Sequence, residues 1–174
     1  MGAGKSGVGK AVARTLGVPF IDSDDVITAN AGPIPAIFAE QGEAAFRALE
    51  AEVVLDVLSE ALRTPRVVAL GGGSVLDPAV RRALSGFASV VWLRAPAAVL
   101  WRRVRLGRRN VRPLATDKAA FGALLAERED LYREVATHTL DNEGGRTAAA
   151  LAGEVAEWVS AGGASRASRG QASC

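Results

Sequence analysis

The sequence predicts an α/β fold in which helices cover both faces of a parallel sheet. Three observations predict it. Helix-spaced stretches alternate with short apolar runs from Val8 to Val159. The first two runs end in residues suited to a ligand crevice: Asp22 and Asp24 after one, Gly71, Gly72 and Gly73 after the other. Finally, Gly2-Ala3-Gly4-Lys5-Ser6 opens the first helix, the back half of the phosphate-binding pattern G-x-x-x-x-G-K-[ST].

Along the chain, Val8, Val12 and Leu16 recur every four residues, and Gly17 with Pro19 stops that helix. The apolar run 18–21 reads as a buried strand ending in Asp22 and Asp24, whose spacing of two on a strand end points both side chains the same way. Phe46, Leu49, Val53, Val57 and Leu58 form the stripe of a helix over 43–62, closed by Thr64-Pro65. A strand over 66–70 then runs into the three glycines. Asp77 as cap and Pro78 at the first position begin a short helix, and 89–93 is a third strand. Pro96 opens a helix that enters an arginine cluster, and 107–117 is polar and of lid length. Phe121, Leu124, Leu125 and Leu131 mark a further helix, 138–140 a last strand, and Leu151, Val155 and Val159 a closing helix. Residues 161–174 are Gly, Ala and Ser with two arginines, a composition expected to stay flexible.

With 174 residues, one domain is expected, over 1–160. A single cysteine, Cys174, excludes an internal disulfide framework and a cysteine-built zinc site, which suits a reducing cytoplasmic compartment. No apolar run approaches the roughly 20 residues that span a bilayer, so no membrane partner is expected. Arg102, Arg103, Arg105, Arg108, Arg109 and Arg112 would suit a nucleic acid, a nucleotide's phosphates, or simply a solvated helix face.

The phosphate motif carries definite chemistry. Its glycines let backbone N–H groups close around phosphate, Lys5 neutralises β/γ oxygens, and the Ser6 hydroxyl suits Mg²⁺. Together with I-D-S-D, F-R-A-L-E, G-G-G, V-R-P-L and L-Y-R in this order, the chain resembles a shikimate kinase over about residues 1–160. F-R-x-x-E with the triple glycine separates that family from gluconate and nucleoside monophosphate kinases.

The resemblance implies a three-layer P-loop kinase fold with a mobile lid at 107–118, and transfer of the γ-phosphate of ATP to the 3-hydroxyl of shikimate in aromatic amino-acid biosynthesis. It implies nucleotide contacts from Gly2, Ala3, Gly4, Lys5, Ser6 and Gly7, and from Arg105, Arg112 and Arg146. Lys5, Asp24 and Arg112 would be catalytic, with Ser6 and Asp22 serving Mg²⁺. Shikimate would be held by Asp24, Arg47, Gly71, Gly72, Gly73 and Arg133, with Glu50 fixing the Arg47 guanidinium. In isolation, Arg47 and Glu50 three apart on a helix would read as an ordinary surface pair. The family implies a monomer with ATP and shikimate as its ligands and no nucleic acid. Trp92, Trp101 and Trp158 read as packing residues and His138 as structural.

The chain departs from the family in two places. Gly7 stands where a Thr or Ser is usual, a loss on the order of 1 kcal/mol in ATP binding. The strand that feeds the phosphate loop, central in the family's five-stranded sheet, has no counterpart ahead of Met1. A gap in mid-sheet is therefore expected, with the true start about ten residues upstream; a truncated, inactive homologue is the competing reading. A gluconate kinase, a non-catalytic acid-binding remnant and a nucleic-acid module also remain open.

Overall fold

The computed structural model describes residues 2–106 and 117–162. Arg108, Arg109, Arg112, most of the expected lid and the tail from 163 lie outside the described residues. The elements follow as α1 (Lys5–Leu16), β1 (Phe20–Asp22), α2 (Ser23–Ala31), α3 (Ile34–Arg63), β2 (Val67–Ala69), α4 (Pro78–Ser85), β3 (Val91–Arg94), α5 (Ala97–Leu106), α6 (Lys118–Val135), β4 (His138–Asp141) and α7 (Ala148–Ser160). A single 3₁₀ turn, Ser74–Leu76, precedes α4.

Local chemistry sets most boundaries. Gly17 takes φ 68° and returns its N–H to the carbonyls of Ala13 and Arg14, ending α1 as its glycine predicted. Asp77 accepts hydrogen bonds from the N–H groups of Ala79 and Val80, with Pro78 in the first turn of α4. α3 is two helical pieces meeting at Gly42, whose φ of 80° and ψ of 174° break the helix just before its expected start at 43. α2 was not expected. Asp22 accepts from the Asp24 N–H at 3.1 Å and so caps a helix where the pattern suggested a strand end. Asp24 lies in the first turn of that helix, which corrects its placement beside Asp22 on a strand.

β1 and β2 pair in parallel, Phe20 opposite Val67 and Asp22 opposite Ala69. β3 and β4 also pair in parallel, Val91 opposite His138 and Arg94 opposite Asp141. Among the described residues the two pairs form separate sheets, so the expected interruption in mid-sheet is present. Side chains alternate across the layer as strand geometry requires. Val67, Val91 and Leu93 pack against Val8 and Val12 of α1 and Leu151 and Val155 of α7. Val68 packs with Ile27, Phe46 and Val53 of α2 and α3, and Val90 with Leu58, Val80 and Leu84. Helices therefore cover both faces.

The aromatic residues pack as expected: Trp92 lies 5.8 Å from the Tyr132 ring, Trp101 5.5 Å from Phe121, and Trp158 stacks on His138 at 4.7 Å. Arg94 makes a forked pair with Asp141 at 2.7 and 3.1 Å. That hydrogen bonding holds the Asp141 carboxyl below the ordinary carboxylate range and raises the Arg94 guanidinium. Its stabilisation is present at neutral pH and is lost only as pH falls through the depressed Asp141 value. No helix among the described residues is long and apolar enough to cross a membrane.

Candidate active site

Two groups of residues meet beyond the C-terminal ends of β1 and β2, where ligands bind in open α/β sheets. The first is the phosphate side. Gly2 and Gly4 take φ of 68° and 86°, left-handed values that favour glycine, and the chain passes through them into α1. A Cβ on Gly2 would lie 2.7 Å from the Leu100 carbonyl oxygen, so the loop is packed closely against α5. Asn142, buried after β4, donates from Nδ2 to the Ala3 carbonyl at 2.7 Å and fixes the loop from the other side. α2, α4, α6 and α7 are each capped by a side chain, whereas α1 has no side-chain cap and no acid in its first turn. Its first N–H groups and the positive end of its dipole are thus available to an anion. Ser6 Oγ donates to Asp22 Oδ2 at 2.5 Å, bringing two hard oxygens together beside that helix end. A Cβ on Gly7 would meet nothing within 4 Å.

The second group surrounds Gly71, Gly72 and Gly73. Gly71 donates its N–H to the fully buried Ser23 Oγ at 3.0 Å, which ties the loop to the start of α2. A Cβ there would lie 2.9 Å from Asp24 Oδ1 and closer still to Glu50 Oε1, so both carboxylates face the same glycine. Glu50, 3% exposed, accepts from Arg47 Nη1 at 2.5 Å and from Ser74 Oγ at 3.2 Å. Arg47 also donates from Nε and Nη2 to Glu43. The Arg47–Glu50 spacing that would pass for a surface pair is therefore a clamp of a half-buried guanidinium on a buried carboxylate. Arg47 Nη1 lies against Gly73, where a Cβ would collide with it. Gly73→Ala is thus expected to displace the guanidinium and weaken binding of an acidic substrate at least tenfold, measured by calorimetry, with little change in ATP affinity.

The geometry brings in an arginine that was not expected. Arg128 is 4% exposed on α6, donates from Nη1 to the Gly72 carbonyl at 3.2 Å, and leaves its Nε buried without a hydrogen-bond partner. Tyr132, one turn on, donates from its hydroxyl to the same carbonyl at 2.5 Å. Arg133, expected here, is not brought to these glycines. Its side chain is 59% exposed and pairs with Glu129 and Asp130 on its own helix. Position 133 lies about 140° around the helix from position 128, so the two cannot share a face. The signal was in the sequence: Phe121, Leu125, Arg128 and Tyr132 fall at intervals of four, three and four. Ser23, Ser74 and Asn142 carried no comparable signal, because each is buried by partners far away in sequence.

Of the remaining expected nucleotide residues, Arg105 is exposed on the last turn of α5. Arg146 donates to the Asp141 carbonyl at 2.9 Å and pairs with Glu154. Arg103 reaches Asn142 Oδ1 at 3.5 Å. No group of three or more metal-ligating side chains occurs among the described residues.

Comparison with known proteins gives a consistent result. The family model described as shikimate kinase matches residues 1–160. The chain is 43% identical to the shikimate kinase of Paracidovorax citrulli over 159 residues, covering 89% of this chain and 85% of that protein. It is 46% identical to that of Halorhodospira halophila over 150 residues, covering 84% and 82%. The structure of the Acinetobacter baumannii shikimate kinase in complex with shikimate superposes with a TM-score of 0.84 at 35% identity, covering 92% of this chain and 89% of that one. The phosphate loop leading into α1, the acid-and-glycine site beside it and these matches agree: the chain belongs to the shikimate kinase family, ATP-dependent kinases.

Proposed function

We propose that the chain transfers the γ-phosphate of ATP to the 3-hydroxyl of shikimate, with Asp24, Arg47 and Arg128 as the acceptor-side residues. The convergence of these three side chains on Gly71, Gly72 and Gly73 carries the reading. The hydroxyl oxygen attacks the γ-phosphorus in line, the bond to the β–γ bridging oxygen breaks, and ADP leaves. The hydroxyl proton passes to Asp24, which also orients the attacking oxygen. Arg47 and Arg128 are two planar forks for the one carboxylate of shikimate, a geometry lysine does not reproduce. That a relative with 35% identity is solved with shikimate bound supports this choice of acid.

On the donor side, Lys5 and Arg112 would neutralise the transferring phosphoryl group, with Arg105 and Arg146 toward the adenine. The paired oxygens of Ser6 and Asp22 fit Mg²⁺, which takes one or two protein oxygens and otherwise water. When bound, the ion would screen the charge of the β- and γ-phosphates. Ser6→Ala is expected to raise the Mg²⁺ concentration for half-maximal rate about tenfold, read from a Mg²⁺ titration at fixed ATP. The protein is proposed to act as a cytoplasmic monomer without nucleic acid.

The test is ADP release in a coupled assay with shikimate, gluconate and a nucleoside monophosphate as acceptors, together with calorimetry of shikimate binding. Shikimate-dependent turnover is expected. Turnover with another acceptor and none with shikimate would sink the proposal.

A further inference from the structure

The peptide between Ala3 and Gly4 is held from two flanks. Ala3 is 7% exposed and packs with Ala95, Leu100 and Phe121. From the other flank Asn142 donates to the Ala3 carbonyl, and its Nδ2 would lie 3.1 Å from a Cβ on Gly4. Asn142 is itself fixed at both ends. Its main-chain N–H donates to the Arg94 carbonyl at 2.7 Å, which carries the pairing of β3 and β4 one residue past Asp141. Its Oδ1 accepts from Nη2 of Arg103 on α5. A carbonyl on one side and a guanidinium on the other leave the amide one way to face, nitrogen toward Ala3 and oxygen toward Arg103.

A trans peptide is planar, with its C=O and N–H pointing in opposite directions. Holding the Ala3 carbonyl on Asn142 therefore aims the Gly4 N–H the other way, away from the end of β4. Gly4 stands immediately before α1, so its N–H adjoins the helix-start donors that suit an anion. The bond joins residues that are 6% and 7% exposed, so water does not readily replace it once lost. We infer that Asn142 is a positioning residue for ATP, which sets the direction of the Gly4 N–H toward the donor phosphates, and that Arg103 acts through it by holding the amide in its productive orientation. The role requires no contact between either side chain and the nucleotide. It rests on the reading of 2–6 as the phosphate loop for ATP, and it adds to that loop a residue 139 positions along the chain.

The test measures MgADP and shikimate binding by calorimetry for the full chain, Asn142→Ala, Asn142→Asp, Arg103→Ala, the double variant of Asn142→Ala with Arg103→Ala, and Asp141→Asn. The last is a comparator that disturbs an exposed ion pair one residue away. Asn142→Ala should weaken MgADP about tenfold, and Asn142→Asp, which sets one acceptor against another, on the order of 100-fold, with the shikimate Kd within about twofold in both. Arg103→Ala should weaken MgADP about threefold, and the double variant should bind it no more weakly than Asn142→Ala alone, because a residue acting through another adds nothing once that one is gone. Asp141→Asn should leave both affinities within about twofold. Equal weakening of both ligands by the Asn142 variants, or a loss of MgADP affinity in Asp141→Asn as large as theirs, makes Asn142 a general prop of the fold and overturns the inference. Additive losses in the double variant mean that Arg103 meets the nucleotide itself, which overturns its role here. Should Asn142→Ala fail to fold, Arg103→Ala decides, since unchanged MgADP affinity there overturns the relay. A full chain that binds shikimate but no MgADP sinks the reading of the loop, and the inference falls with it.

Discussion

Asparagine in place of Asp24 is expected to lower kcat about 10²- to 10⁴-fold while the KM for shikimate changes only severalfold. Asp24 is held in the first turn of α2 by the capping of its own N–H on Asp22, with Oδ1 turned toward Gly71. Asparagine keeps the shape and one acceptor oxygen but cannot take the hydroxyl proton. Phosphoryl transfer depends mostly on positioning and charge neutralisation, so the loss belongs toward the lower end of that range. The melting temperature separates this effect from unfolding. Asp24 and Glu50 both crowd Gly71, and neutralising one of two neighbouring carboxylates should leave stability unchanged or raised. A KM that rises as much as kcat falls would make Asp24 an orienting group only.

Alanine at Arg128 should cost about 3 kcal/mol in shikimate binding, more than 100-fold in Kd, whereas alanine at Arg133 should change it less than twofold. Arg128 is buried with a guanidinium N–H still to be satisfied, and its loss would leave the Gly72 carbonyl to Tyr132 alone and a substrate carboxylate short of a donor. Arg133 is a surface residue in pairs with two acids of its own helix. Lysine at 128 should not restore affinity, because it offers a point charge instead of a fork. Calorimetric titration of the three variants checks this, and a larger effect at Arg133 than at Arg128 would reverse the assignment.

How much of this was legible in the sequence depends on whether the signal was periodic. α1, the second piece of α3, α4 and α7 announced themselves by apolar spacing and by Gly17, Asp77 and Pro78. α2 did not: Val26 and Ile27 give it too narrow a stripe, and Asp22, its cap, also suits a strand end. That ambiguity put Asp24 on the wrong element, although its nearness to the glycines holds. Chain order placed Arg47, Glu50 and the glycines, but only helical phase separates Arg128 from Arg133. Ser23 and Ser74 were beyond reach, since their partners lie 48 and 24 residues away.

The Gly72 carbonyl is gripped twice by α6, through Arg128 and Tyr132, while two turns earlier Phe121 of the same helix is buried with Ala3 and Leu100. One helix therefore touches both glycine loops. It spans the distance between the glycine loop ahead of α1 and the glycines after β2, as a spacer spans the gap between two jaws. If the proposed function holds, substitutions at Phe121, whose ring is buried with Ala3 and Leu100, should accordingly be felt at the acceptor.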